Sequence, residues 1–440
     1  MRLIIASLML GAAAPVVSIA AWAQPAPATA RIDGEAAAAE VRRALARNYV
    51  LPEVRPKLDA ALAKGLAEGR YNVSDPAELV QRINADLAAV TPDKHLGLQY
   101  DPAGAASLAA QPPGAGADDA PPTAEDIRTA QRGNHGIVEM KLLPGNIRYL
   151  NSNGFVWAGA TSAEAYDGAM RFLRDGDAAI IDLRHNGGGS PDAVQYMISH
   201  FVEANRPLVT FHMGAEGVSR LSSLATLPAG RMVGKPLYVL TSGMTASAAE
   251  EFTGHVAGYK LGEIIGDTTA GAGFRNEFFP IPGGFTLSVS VGRAVLVSTG
   301  KDWEAVGIAP TTKVEAGKAL ELAQVHALRR IAATATPQQK AALEASAAVL
   351  SAKLNPVQTA LPLAAYAGTF GERTVTLENG RLVFRRGGGP KFAIVPIDAN
   401  QFAFEDAPGE RLTYSVAGNV ATGFELLRGD GSRVTAYRTQ

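Results

Sequence analysis

The chain has 440 residues, with 41 Lys and Arg against 42 Asp and Glu, a formal net charge of −1, 47% hydrophobic residues and no cysteine. The lack of thiols excludes a disulfide framework, a cysteine nucleophile and a thiolate metal site, and the balanced charge gives no basic footprint for nucleic acid. The length suggests two or three domains with ample apolar core, and a protein, a peptide or a small molecule as partner.

Residues 1–23 read as an export signal. Arg2 supplies the positive start, a mostly apolar run follows, and Ala21-Trp22-Ala23 before Gln24 is a small-x-small cleavage site. The mature chain is expected to be periplasmic or secreted, with no later stretch apolar enough to span a membrane; an uncleaved anchor is the alternative. Residues 31–100 read as an N-terminal helical domain with helical runs at 34–48, 54–68 and 76–90 and a strand at 95–100. Asp75-Pro76-Ala77-Glu78 is the clearest helix start, combining a capping acid, proline at the first helical position and a glutamate three after the cap.

Residues 101–124, dominated by Ala, Gly, Pro and Asp, read as a flexible linker or loop. From 135 to 335, strand-like runs (147–150, 178–183, 237–241) alternate with helix-like runs (163–174, 191–201, 246–259), the order of an α/β domain with crossover helices. Strands at 285–290 and 293–297 suggest a hairpin bending at Gly292, with a helix at 317–331 and a connecting helix within 336–358. Residues 360–440 carry seven short alternating runs separated by turns such as Glu378-Asn379-Gly380, a small antiparallel β domain.

Three segments of the α/β domain carry unusual residue choices. The strand Ile180-Ile181-Asp182-Leu183 runs through Arg184-His185-Asn186 into Gly187-Gly188-Gly189, a turn whose amides can approach an anion or simply pack tightly. In Thr245-Ala246-Ser247-Ala248-Ala249-Glu250, Ser247 heads a helix, where the dipole favours oxyanion character, or it is a plain N-cap. Glu304, in Asp302-Trp303-Glu304, is either a carboxylate that orients a histidine or a surface loop acid.

Taken with Gly266-Asp267-Thr268-Thr269-Ala270-Gly271, with Gly307 to Pro310 and with Asp93-Lys94-His95-Leu96, these segments resemble the carboxy-terminal processing (tail-specific) serine peptidase superfamily. The likeness is strongest to its branch similar to the interphotoreceptor retinoid-binding protein and the tricorn core, and covers about residues 32–331. The resemblance implies an α/β fold with a crotonase-like peptidase core, preceded by the helical domain and followed by the β domain. It implies Ser247 as nucleophile and Ala248, Gly188 and Gly189 as oxyanion donors. The lysine base of the processing-protease branch falls here on Ala272, so the tricorn-like arrangement applies instead, with His95 as base and Glu304 orienting it. His95 alone would read as a strand-end histidine without a role. The spacing between His95 and Asn146 leaves no room for the peptide-binding PDZ module of many relatives.

The remaining histidines form no metal-ligand spacing, and Glu251 with His255 reads as a surface pair, so no metal and no organic cofactor are expected. The favoured reading is an exported serine peptidase that cleaves unstructured protein or peptide substrates through an acyl-enzyme. The rivals are a catalytically inactive binding protein for an apolar ligand on the same scaffold, and a hydrolase of small esters or amides. Assembly into a homo-oligomer is compatible with such a core.

Overall fold

The computed structural model describes residues 32–110, 121–213 and 217–439; residues 1–23, read from the sequence as an export signal, lie outside them. Three helices come first: α1 (Gly34–Asn48), α2 (Arg55–Ala67) and α3 (Pro76–Ala88). Asp33 and Asp75 cap α1 and α3, accepting the orphan amides of Ala36 at 2.9 Å and Ala77 at 3.0 Å. The short strand β1 (Gly97–Tyr100) then leaves the helices for the body of the molecule.

Within 101–124 the structure contains a helix rather than a featureless linker. Asp101 caps α4 (Pro102–Ala109), with Pro102 at its first position, and the helix packs against a hairpin described below. A second capped helix, α5 (Ala124–Arg132), begins at Thr123 with a reciprocal Thr123–Asp126 capping box.

The core follows as β2 (Ile137–Leu143), β3 (Ile147–Ser152), α6 (Ala160–Arg174), β4 (Ala178–Asp182), α7 (Pro191–Ile198), β5 (Pro207–His212) and β6 (Val218–Ser222). It continues as β7 (Leu237–Thr241), α8 (Ala248–Gly258), β8 (Glu263–Gly266), β9 (Phe274–Ile281), β10 (Phe285–Leu296), β11 (Thr312–Lys313) and α9 (Ala319–Ala332). The central sheet has the order β11-β8-β7-β4-β3-β2, parallel except for β2. Residues of β4 alternate between two apolar layers: Ala179 and Ile181 pack with Met170, Val194 and Phe252, whereas Ala178 and Ile180 pack with Val325 and Leu328. Burial on both faces is why this strand reads as one unbroken apolar run. The helix α10 (Pro337–Leu354) lies along α9 and adds Ala347 to the second layer, so it belongs to the wall of the core as well as leading out of it.

The second sheet joins the N-terminal helices to the core. Its hairpin is formed by β9 and β10, turning at Gly283 and Gly284 (φ 89° and 84°), not at Gly292 as the sequence suggests. Two glycines at positive φ make the tight turn, and Gly292 instead marks a register shift inside one long strand. β1 pairs with the first part of β10 and β5 with its last part. Phe285, Leu287 and Val289 of β10 share an apolar cluster with Val41, Leu58, Leu79 and Ile83, so the helices and the hairpin have one core.

After α10 come β12 (Gly368–Phe370), β13 (Arg373–Glu378), β14 (Arg381–Arg386), β15 (Lys391–Asp398), β16 (Gln401–Phe404), β17 (Arg411–Ala417), β18 (Val420–Leu427) and β19 (Arg433–Tyr437). They pair antiparallel in strict chain order around an aromatic cluster of Tyr366, Phe370, Phe402, Tyr414 and Phe424.

Candidate active site

Ser247 sits between the end of β7 and the start of α8 with φ 53° and ψ −122°. Positive φ is rare for a residue with a Cβ and is retained where surrounding contacts over-determine it. Those contacts are specific: Thr245 Oγ1 donates to Leu183 O at 2.8 Å, Ser242 Oγ to Arg184 O at 2.5 Å, and Ala246 N to Asn186 O at 3.1 Å. The loop before Ser247 is thus tied to the loop that follows β4. Its own amide donates to Glu250 Oε2 at 2.9 Å.

His95 reaches this serine because β1 pairs with β10. Its Nε2 lies 3.1 Å from Ser247 Oγ, so the serine hydroxyl is engaged by the imidazole. Burial holds the His95 pKa below the usual histidine value, against the opposing pull of Asp93 and Glu250. A neutral imidazole at neutral pH can accept a proton, which a base at this position must do.

Glu304 enters the same region from the loop after β10 but makes no hydrogen bond to His95. Its Oε2 instead accepts the amides of Gly273 at 2.6 Å and Phe274 at 3.0 Å. Among the described residues, Glu304 Oε1 and His95 Nδ1 are buried atoms without a hydrogen-bond partner. Burial, with repulsion from Asp93 and Glu250, pushes the Glu304 pKa up to about 7 despite the two amides. The structure thus shows no direct hydrogen bond between His95 and Glu304, and leaves one buried polar atom of each without a partner among the described residues.

The glycine turn needs one correction. Gly188 and Gly189 have φ 110° and 139°, and a Cβ on Gly188 would stand 2.7 Å from Ser247 Cβ. Only glycine allows the turn to pass this close. The Gly188 amide, however, donates to Asn186 Oδ1 at 2.9 Å and is turned into its own loop. The Ala248 amide lies at the positive end of α8.

Two residues gained no role from the sequence. Glu250 is fully buried and accepts, besides Ser247 N, Thr269 Oγ1 at 2.6 Å, Gly271 N at 2.6 Å and Ala272 N at 2.7 Å. It fastens the nucleophile to the segment that carries Ala272. Asn186 braces the glycine turn by also donating to Ser152 Oγ at 3.1 Å. An acid three residues into a helix and an asparagine ahead of glycines were the available signals. Glu251 and His255, read as a surface pair, are both buried, with His255 Nε2 3.4 Å from Glu251 Oε1. Among the described residues no group of three His, Asp or Glu side chains is placed to hold a metal ion, and no helix is long and apolar enough to cross a membrane.

Two segments of the chain match known protein families. Residues 146–314 match Peptidase family S41, and residues 29–139 match the N-terminal domain of Peptidase_S41 in eukaryotic IRBP. Residues 146–314 carry a Peptidase family S41 domain. The S41 match spans the segments bearing Ser247 and Glu304, and the N-terminal match bears His95.

Curated relatives of the chain include the carboxy-terminal processing protease CtpB of Bacillus subtilis, 26% identical over 35% of this chain and 32% of that one. A probable CtpA-like serine protease of Staphylococcus aureus is 28% identical over 26% of this chain and 23% of its own. The aligned region thus spans a third or less of these relatives' own length. Solved structures similar to it include a lipoprotein from Streptococcus agalactiae (16% identity, TM-score 0.46, 68% of this chain and 96% of that chain). The photosystem II D1 C-terminal processing protease has 18% identity and a TM-score of 0.40, over 65% of this chain and 94% of that chain.

Proposed function

We propose that the chain is an exported serine peptidase that cleaves unstructured protein or peptide substrates through an acyl-enzyme. One observation carries this reading: the 3.1 Å contact between Ser247 Oγ and His95 Nε2, made by a serine in a strained conformation at the head of a helix. The same contact favours an enzyme over a binding protein for an apolar ligand, which has no use for an engaged hydroxyl.

His95 Nε2 takes the Ser247 proton as Oγ bonds to the substrate carbonyl carbon, and the carbonyl electrons move onto oxygen. The Ala248 and Gly189 amides stabilise that oxyanion. Collapse breaks the C–N bond, and His95 returns the proton to the leaving amine. Water, deprotonated by His95, then attacks the acyl carbon; collapse breaks the C–Oγ bond and His95 returns the proton to Ser247 Oγ, freeing the product acid. Beside the site the apolar side chains of Met244 (58% exposed) and Val306 (71% exposed) offer contacts for an extended chain. Export rests on the leader at residues 1–23.

The test is digestion of an unfolded model protein by residues 24–440, beside Ser247→Ala and His95→Ala. Cleavage by the unsubstituted chain that both changes abolish is expected. Hydrolysis of small esters without cleavage of polypeptide would narrow the reading to a small-substrate hydrolase. No turnover of either would return it to the binding protein.

A further inference from the structure

Behind His95 lies a pocket of polar atoms that the reaction scheme leaves unused. Asp93 is only 8% exposed, and its Oδ1 accepts the His95 amide at 2.9 Å, an Asx turn that sets the backbone carrying the imidazole. The Asp93 amide faces Thr91 Oγ1 at 3.4 Å, and Thr91 Oγ1 is 3.3 Å from the hydroxyl of the fully buried Tyr49 at the end of α1. Asp93 Oδ2 is buried with no partner among the described residues, as are His95 Nδ1 and Glu304 Oε1. Three unpaired polar atoms from a strand lead-in and a distant loop therefore occur in one buried region, where each such group is costly unless it has work to do.

Asp93 lies near enough to both His95 and Glu304 to act on the charge of each. Tyr49 feels both carboxyls. Other charged groups around the imidazole are Glu250, tied to its four donors, and Lys94, whose ammonium donates to Ala270 O.

We propose that Asp93 is the positioning residue of His95, setting its backbone through Oδ1 and stabilising its imidazolium. This rests on the peptidase reading. Glu304 is held by the Gly273 and Phe274 amides, with its pKa pushed up to about 7 mainly by burial. Asp93 Oδ2, buried without a partner among the described residues, is the oxygen left to answer the imidazolium charge.

The test uses the full chain and reads the pH dependence of Ser247 labelling by a fluorophosphonate, with His95 followed in parallel by NMR titration. Asp93→Asn keeps the Asx-turn oxygen and removes only charge. It is expected to move the His95 midpoint to lower pH by about one unit and to slow labelling above the midpoint by roughly 10-fold or more. Asp93→Glu restores charge and should recover the midpoint at least in part. Glu304→Gln, isosteric with the protonated acid, should leave the midpoint in place. An unmoved midpoint in Asp93→Asn, or a drop in Glu304→Gln equal to that expected of Asp93→Asn, overturns the proposal. If Asp93→Asn does not fold, the Glu304→Gln titration still decides, because direct orientation by Glu304 requires its midpoint to fall. Absence of labelling in the unsubstituted chain would count against the peptidase reading alone, and the NMR midpoints would still judge Asp93.

Discussion

His95 Nε2 stands 3.1 Å from Ser247 Oγ across 152 residues of sequence, and the pairing of β1 with β10 makes the contact. A four-residue strand anchored by Gly97↔Ser288 and Tyr100↔Phe285 thus decides whether base and hydroxyl meet. The base comes in with β1, paired with β10, whereas the nucleophile heads α8, whose Ala248, Ala249 and Phe252 belong to the core of the central sheet.

The approach of Gly188 to Ser247 should be intolerant of any side chain. With a Cβ at 2.7 Å from Ser247 Cβ and φ 110°, Gly188→Ala must shift the serine. We expect kcat/KM to fall by roughly 10²-fold or more, measured on a peptide ester, with the circular dichroism spectrum unchanged.

Glu250 should matter to stability as well as to catalysis. Glu250→Ala leaves the Ser247, Gly271 and Ala272 amides and the Thr269 hydroxyl without their buried acceptor. Each lost partner costs about 1–3 kcal/mol, less than additively because water and relaxation recover part. Urea unfolding should show a loss of about 3 kcal/mol or more; a loss below about 1 kcal/mol would contradict the role assigned to this carboxylate.

Activity should fail on the acid side. A neutral His95 is needed to accept the serine proton, and burial lowers its pKa from 6.5. The kcat/KM profile of the free enzyme is therefore expected to rise with pH and level off with a midpoint below 6.5. A midpoint above that value would show that Asp93 and Glu250 outweigh burial.

Glu304 should make the fold less stable as pH rises. Its pKa goes from 4.5 in an exposed chain to about 7 when folded, so the folded state binds more protons in that interval. The contribution is fully present below pH 4.5 and is lost as pH climbs through 7. In Glu304→Gln the fall in stability over this window should shrink, as read from denaturant midpoints at pH 5 and pH 8.

Much of this site was legible because its chemistry is local in sequence: the Thr245 to Glu250 box, the glycine turn and the Asp93 to Leu96 segment each stand out alone. Their partners were not legible. The four acceptor contacts of Glu250 come from residues 247 to 272, and nothing in a helix-start glutamate names Gly271 or Ala272 as its donors. The Gly188 amide looked free until the Asn186 side chain closed on it. For the fold, α4 was hidden by Ala and Gly composition although Asp101-Pro102 carries a cap and a proline start. The hairpin was misread because Gly292 is one glycine inside a long strand, whereas the turn needs the pair Gly283-Gly284. β9 escaped because Phe274–Ile281 includes Pro280 and only Phe274 and Ile281 at its ends are buried.

The central claim is that Ser247 is a nucleophile activated by His95. It is tested most directly by treating residues 24–440 with a fluorophosphonate at pH 8 and locating the adduct by peptide mass spectrometry, with His95→Ala beside it. The account predicts one adduct, on Ser247, formed at least roughly 10³-fold more slowly in His95→Ala. No adduct on Ser247, or one formed equally fast without His95, would contradict it.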